Sequence, residues 1–240
     1  MKLTILLFAF LYSTFLLHSQ LKKGDNVISL NGMYTKNTTQ DGVMGNSTTV
    51  NNRHLNLGAA FTSYVTNHLL LGFGLDYISQ KDLRTSELIL NDGHDVNSQI
   101  MRYETLNLKS TAPLPFLFVG YNMNVTNKLN FNANLKINYG QMSTNTTDQT
   151  IYQQFPIFNS QPVLVSNILL PNITTVSKDK NDFVAASIIP EMTYFFTNQI
   201  GLSVALGGIQ YSITDWKTSK SDFWINLSPN TWLVGLKYKL

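Results

Sequence analysis

The stretch "NVTNKLNFNANLKINYG", Asn124 to Gly140, decides how the chain is read. One parity carries Leu129, Phe131, Ala133, Leu135, Ile137 and Tyr139, while the other carries Lys128, Asn130, Asn132, Asn134, Lys136 and Asn138. Successive side chains of a strand point to opposite faces, so this segment is a β-strand with one apolar and one polar face. The Thr-Asn pair before it separates two apolar runs. Asn tolerates left-handed backbone, and both side chains can bond nearby backbone groups, which suits a tight hairpin.

The same device occurs twice more. "YVTNHLLLGFGLDY", Tyr64 to Tyr77, puts Leu69, Leu71, Phe73, Leu75 and Tyr77 on one face, opposed by Leu70, Gly72, Gly74 and Asp76. "FFTNQIGLSVALGG", Phe195 to Gly208, sets Ile200, Leu202, Val204 and Leu206 against Gly201, Ser203, Ala205 and Gly207. Three hairpins supply six strands. A strand near Asp25 to Thr35 precedes them, paired to the segment Arg53 to Val65 that enters the first hairpin, and one near Thr231 to Leu240 follows. The expected count is eight. A fourth Thr-Asn, Thr144 and Asn145, has no apolar flanks and reads as loop.

The remaining connections are long and polar: Lys36 to Asn52, Lys81 to Arg102, Met142 to Asp182 and Asp215 to Asp222. Tight turns at one end, long loops at the other and an even strand number predict an all-β, up-and-down antiparallel transmembrane barrel. The third loop, 143–182, is unusually apolar in "TIYQQFPIFNSQPVLVSNILLPNITTV". It would fold over the mouth as a lid, contact an extracellular partner, or form an extra hairpin about Asn159 to Gln161. That last alternative gives ten strands.

Composition agrees with a membrane barrel. Only 13% of the residues are charged, against the roughly 25–35% that suits a water-facing surface. A soluble lipocalin-like barrel alternates too, but keeps its apolar row inside. Small residues opposing the apolar rows favour lipid outside, as do aromatics near strand ends: Tyr64, Tyr77, Tyr121, Tyr139, Tyr194 to Phe196, Trp232 and Tyr238. A net charge of +3 gives no footprint for nucleic acid, and the absence of cysteine excludes disulfides and thiolate chemistry. The opening "MKLTILLFAFLYSTFLLHSQ" has the layout of a signal peptide, residues 1–19, which leaves 20–240 as the barrel domain. Its apolar run is short for an uncleaved anchor, the competing reading.

The chain resembles the small outer-membrane β-barrel family common in Bacteroidota and the enterobacterial eight-stranded barrels of the OmpA and OmpX type. The Thr-Asn hairpins followed by "LLLGFGLDY" and "IGLSVALGG" carry the resemblance, with the closing strand "TWLVGLKYKL". It implies a monomeric, non-enzymatic protein of the bacterial outer membrane, in contact with lipid and lipopolysaccharide. It also implies that Trp232, Val234, Leu236, Tyr238 and Leu240 form the strand read by the barrel-insertion machinery, although family members usually end in an aromatic rather than a leucine. A narrow transport path, for small polar solutes through the lumen or for apolar ones under the third loop, is the alternative function, and a lipid A-modifying enzyme a third.

Asp76, Lys136 and Glu191 lie on the polar parity of their strands, in the middle or upper part of the span. Buried charges in a filled lumen must be paired, so an internal ion-pair network is expected, with Lys136 and Glu191 as partners. A merely wet lumen that solvates each charge is the other account. No catalytic, cofactor or metal site emerges. His54, His68 and His94 occur in no arrangement suited to activating a serine. Asp92 and Asp95 in "NDGHD" read as a hairpin tip rather than a weak calcium site.

Overall fold

In a computed structural model that describes residues 21–43, 46–91, 98–156, 172–214 and 220–240, the regular elements are strands, apart from one 3-10 turn at Pro229–Thr231. The strands are β1 (Asn26–Val43), β2 (Asn46–Tyr64), β3 (Leu69–Asn91), β4 (Ser98–Asn124), β5 (Leu129–Pro156), β6 (Ile173–Phe195), β7 (Ile200–Ala205), β8 (Gly208–Thr214), β9 (Lys220–Asn226) and β10 (Leu233–Lys239). The pairings are antiparallel, and β5–β6 closes the ring β1-β2-β3-β4-β5-β6-β7-β10. This is an eight-stranded all-β barrel. The expected leader, the Asp92–Asp95 motif with His94, and the hairpin about Asn159 to Gln161 lie outside the described residues.

Ten segments make eight walls because two walls are broken. Both β7 and β8 pair with β6, but the register slips by one residue at Leu206 and Gly207, a β-bulge. Gly207 takes φ +82°, and a Cβ there would lie 2.1 Å from the Asn226 carbonyl oxygen. Only glycine suits that position. Opposite the bulge, the six residues from Leu227 to Trp232 loop out between β9 and β10. The last strand, β10, lies where the sequence places it, near Thr231 to Leu240, and what the sequence did not show is β9, which extends the same wall from Lys220.

The three short turns share one hydrogen-bond pattern. Thr66 Oγ1 accepts from the amides of His68 (3.1 Å) and Leu69 (2.8 Å). Thr126 Oγ1 accepts from Lys128 (3.3 Å) and Leu129 (3.0 Å), and Thr197 Oγ1 from Gln199 (3.2 Å) and Ile200 (2.8 Å). In each, the Thr amide also donates to the carbonyl three residues on. The threonine hydroxyl thus closes the turn.

The other end differs from expectation. Most of the segments read as long loops are strand: β1 and β2 stay paired to Val43↔Asn46, β3 and β4 to Asn91↔Gln99, and β5 and β6 to Thr150↔Ile173. Thr144 and Asn145 lie inside β5, not in a loop. These extensions are mostly polar, with scattered apolar residues such as Leu83, Leu88, Leu106 and Leu108, so no sustained alternation marks them. On the opposite side the wall is low, with β8 ending at Thr214 and β9 starting at Lys220. Pairing between β4 and β5 lapses from Ala112 to Pro115, where Pro113 and Pro115 bring no amide hydrogen.

The large apolar side chains stand outside. Leu71, Phe73, Leu75, Leu117, Leu135, Ile137, Leu202, Val234 and Leu236 are all exposed. The row Leu69 to Tyr77 covers roughly 27 Å along its strand and, at a barrel's tilt, about 20 Å of height. Exposed aromatics bound this belt: Tyr121, Tyr194, Phe196 and Tyr238 near the short turns, and Tyr34, Tyr77, Tyr139, Tyr211 and Trp232 at the other edge. Tyr64 does not belong to it. Its side chain is 2% exposed and packs inside with Leu21, Val27, Leu70 and Phe195, plugging the short-turn end.

Candidate functional site

The lumen is built from the opposite parity of each strand. Its floor is the Tyr64 cluster together with Asn122, Asn130, Asn132 and Thr193, which are essentially inaccessible to solvent. Above it, β4 turns Phe116 and Phe118 inward over β3. A Cβ at Gly72 would come within 2.2 Å of Phe118 Cζ, and one at Gly74 within 2.5 Å of Phe116 Cζ. Glycines in β3 therefore make room for rings from β4. This face of β4 was not legible, because "TAPLPFLFVGY" is apolar on both parities.

Two ion pairs cross the lumen. Lys136 Nζ on β5 reaches over β4 to Asp76 Oδ2 on β3, and Asn138 Nδ2 donates to the same oxygen at 3.1 Å. On its way the ammonium passes 3.8 Å from the centre of the Phe116 ring, a cation–π contact. Lower down, Glu191 Oε1 on β6 takes Lys237 Nζ from β10, along with Asn132 Nδ2 and Thr193 Oγ1, each at 3.3 Å. All four charged side chains are largely buried.

The partnership expected from sequence is therefore incorrect. Lys136 faces Ser187 in the β5–β6 ladder, whereas Glu191 faces Asn132. That offset of four residues is roughly 13 Å along the strand, beyond direct contact. Glu191 also sits in the lower half of the barrel, below the level expected. Lys237 was missed, although the polar-parity rule that selects Lys136 selects it too. A third pair, Lys239 Nζ to Asp25 Oδ2 at 2.6 Å, ties the last strand to the first at the short-turn end.

Between the upper pair and the long-strand rim lies a cavity of about 480 Å³. Ile78, Leu114, Phe183, Ile189, Ile209 and Leu233 give it apolar walls, and Asn56, Gln210 and His54 add polar groups. The cavity beneath it, between the Phe118 layer and the floor, holds only about 60 Å³. His68 is elsewhere, at the first short turn, stacked on Tyr121 with ring centres 5.6 Å apart. Among the described residues no cluster of three or more His, Asp or Glu side chains is arranged to hold a metal. The closing-strand residues Trp232, Val234, Leu236, Tyr238 and Leu240 all lie on the outer face.

No described protein family matches this chain, and no curated protein does. Among solved structures it is similar to the translocator domain of the autotransporter NalP from Neisseria meningitidis, at 8% identity and a TM-score of 0.18, over 100% of this chain and 95% of that one.

Proposed function

We propose that this chain is an integral outer-membrane β-barrel protein without catalytic activity, serving the cell envelope through the strand extensions beyond its apolar belt. The observation that carries this reading is the inversion of polarity. Aliphatic and aromatic side chains ring the outside, while Asp76, Lys136, Glu191 and Lys237 are buried within. A water-soluble protein rarely exposes apolar patches beyond a few hundred Å², whereas barrels in lipid carry a band about 25 Å tall bounded by aromatics.

The same reading makes the protein a monomer in contact with lipopolysaccharide, inserted through its closing strand. The polar sheet above the belt, including the 143–156 and 173–182 parts of β5 and β6, is the surface offered to an extracellular partner. Passage of solute along the barrel axis fits less well, because the floor packing and the Glu191–Lys237 pair fill the bore. Catalysis fits less well again, because His54 and His68 are far apart and neither has a serine partner among the described hydrogen bonds.

Fractionation and electrophysiology test this together. The protein should partition with outer membranes, show heat-modifiable gel mobility and give no steady conductance in planar bilayers. Recovery as a folded, detergent-free soluble species would defeat the membrane assignment. Steady conductance would replace the envelope role with transport, and an altered lipid A mass on deleting the gene would replace it with enzymology.

A further inference from the structure

The barrel wall is not closed at every height. β1 and β10 pair only from Val27↔Lys239 to Gly32↔Val234. Among the described residues, β1 continues above Gly32 to Val43 with β2 as its one strand partner, and β9 pairs with β8 alone. The excursion Leu227–Trp232 has displaced β9 from the place where it would have met β1. Two unpaired strand edges thus flank a slot, at the level of Tyr34 and Trp232, the upper limit of the apolar belt.

That slot leads into the 480 Å³ cavity. Met33 and Thr35 of β1 line it on one side, and Trp224 and Asn226 of β9 on the other. On the outer surface the mouth is framed by Tyr34, Phe223, Ile225 and Leu227, each exposed by more than half. An apolar medium therefore meets the opening from outside, and an apolar-walled chamber lies behind it.

The chemistry of the mouth specifies an occupant. Backbone groups on unpaired edges gain nothing from hydrocarbon, and each left unsatisfied there costs several kcal/mol. One strand in from the mouth, level with Met33, the Asn56 side-chain oxygen is buried and accepts no hydrogen bond. These groups call for a small polar head with a donor. The charged pair at the chamber's inner end, Asp76 and Lys136, is already mutually neutralised, so the head should be uncharged. The volume lies within the range of small-molecule pockets, about 300–1,000 Å³. We infer that the slot and chamber bind one single-chain amphiphile with an uncharged hydroxyl-bearing head, of the long-chain alcohol class, entering sideways from the apolar phase around the barrel.

This inference rests on the membrane reading above, and the test separates the two. A variant keeping Trp224 as its one tryptophan, with Trp216→Phe and Trp232→Phe, is placed in phosphatidylcholine bilayers and titrated with 11-bromo-1-undecanol as a quencher. 1-Bromoundecane, which lacks the hydroxyl, is the control. Saturable quenching by the alcohol but not by the alkane, with one alcohol retained per barrel in native mass spectrometry, is expected. Thr35→Phe at the mouth and Ala185→Phe in the chamber wall should each weaken the apparent affinity by at least about tenfold. If Ala185→Phe does not fold, Thr35→Phe, at a half-buried position of the rim, decides. Linear quenching equal for both probes, affinity unchanged in the variants, or a slot filled by a second copy of the chain in cross-linking would overturn the inference. Failure to enter bilayers at all would instead overturn the membrane reading.

Discussion

Lys136 on β5 and Asp76 on β3 are joined across the intervening strand, with the ammonium lying over the Phe116 ring of that strand. The pair therefore fastens three consecutive walls at the height where β4 loses its pairing to β5 at Pro113 and Pro115. What the ladder lacks there is supplied through the lumen.

Removing one partner leaves the other charged and buried. Lys136→Met should destabilise the barrel by about 3–5 kcal/mol. Adding Asp76→Leu should recover part of that loss, short of all of it because Asn138 loses its acceptor. Urea titration of the barrel in lipid vesicles measures both, and a single variant of wild-type stability would show that water solvates these charges after all.

The lower pair spans β6 and β10 across β7 in the same way, and Glu191 Oε1 collects three donors. Glu191→Leu strands Lys237, Asn132 and Thr193 together. It should cost more than Lys237→Met, which leaves the carboxylate with two neutral donors. The order of the two urea midpoints is the readout, and the reverse order would mean that Lys237 dominates the site.

The hairpin turns give a gentler test. Thr126→Val keeps the shape but removes the oxygen that accepts from Lys128 and Leu129. A loss of about 1 kcal/mol follows for these two bonds, one exposed and one part-buried, while Thr126→Ser should be close to neutral. A greater loss with Thr126→Ser than with Thr126→Val would instead assign the turn's stability to the threonine methyl group.

Packing of rings on glycines predicts a steric dependence. Gly72→Ala introduces a Cβ about where Phe118 now sits, and overpacking of this kind costs about 1–3 kcal/mol. Phe118→Leu should restore part of it. The Phe61 carbonyl oxygen, 2.5 Å from the same Cβ position, limits the rescue.

How far the sequence discloses this molecule depends on whether the two faces of each strand differ in polarity. From Leu129 to Tyr139 one face is apolar and the other polar, and the strand is plain. From Gln141 to Gln154 both faces of β5 are polar, the period vanishes, and strand reads as loop. In β4, Leu114, Phe116 and Phe118 point inward while Pro115, Leu117 and Val119 point outward, so alternation again gives no signal. The charged candidates were visible because charge on a lumen parity stands out. Their partners were not, because pairing depends on register across three walls, which no single strand encodes. The slot beside β9 was hidden for the same reason: it arises from the mismatch between Leu206–Gly207 and Leu227–Trp232, a relation between two strands.

Depth within the apolar belt separates lipid from water outside the barrel. On β3, Leu69 lies at the short-turn edge, Tyr77 at the other, and Phe73, exposed by 58%, midway. An arginine facing lipid costs about 2–4 kcal/mol at the bilayer midplane and about 0–1 kcal/mol near an interface. Phe73→Arg should therefore destabilise the folded barrel most, Leu71→Arg by an intermediate amount, and Tyr77→Arg least. If water wetted this face, all three would fall within roughly 0.5 kcal/mol of wild type, as exposed substitutions usually do. Urea midpoints in vesicles settle the matter by their pattern, because a cost that peaks at Phe73 requires hydrocarbon on both sides of it along the strand.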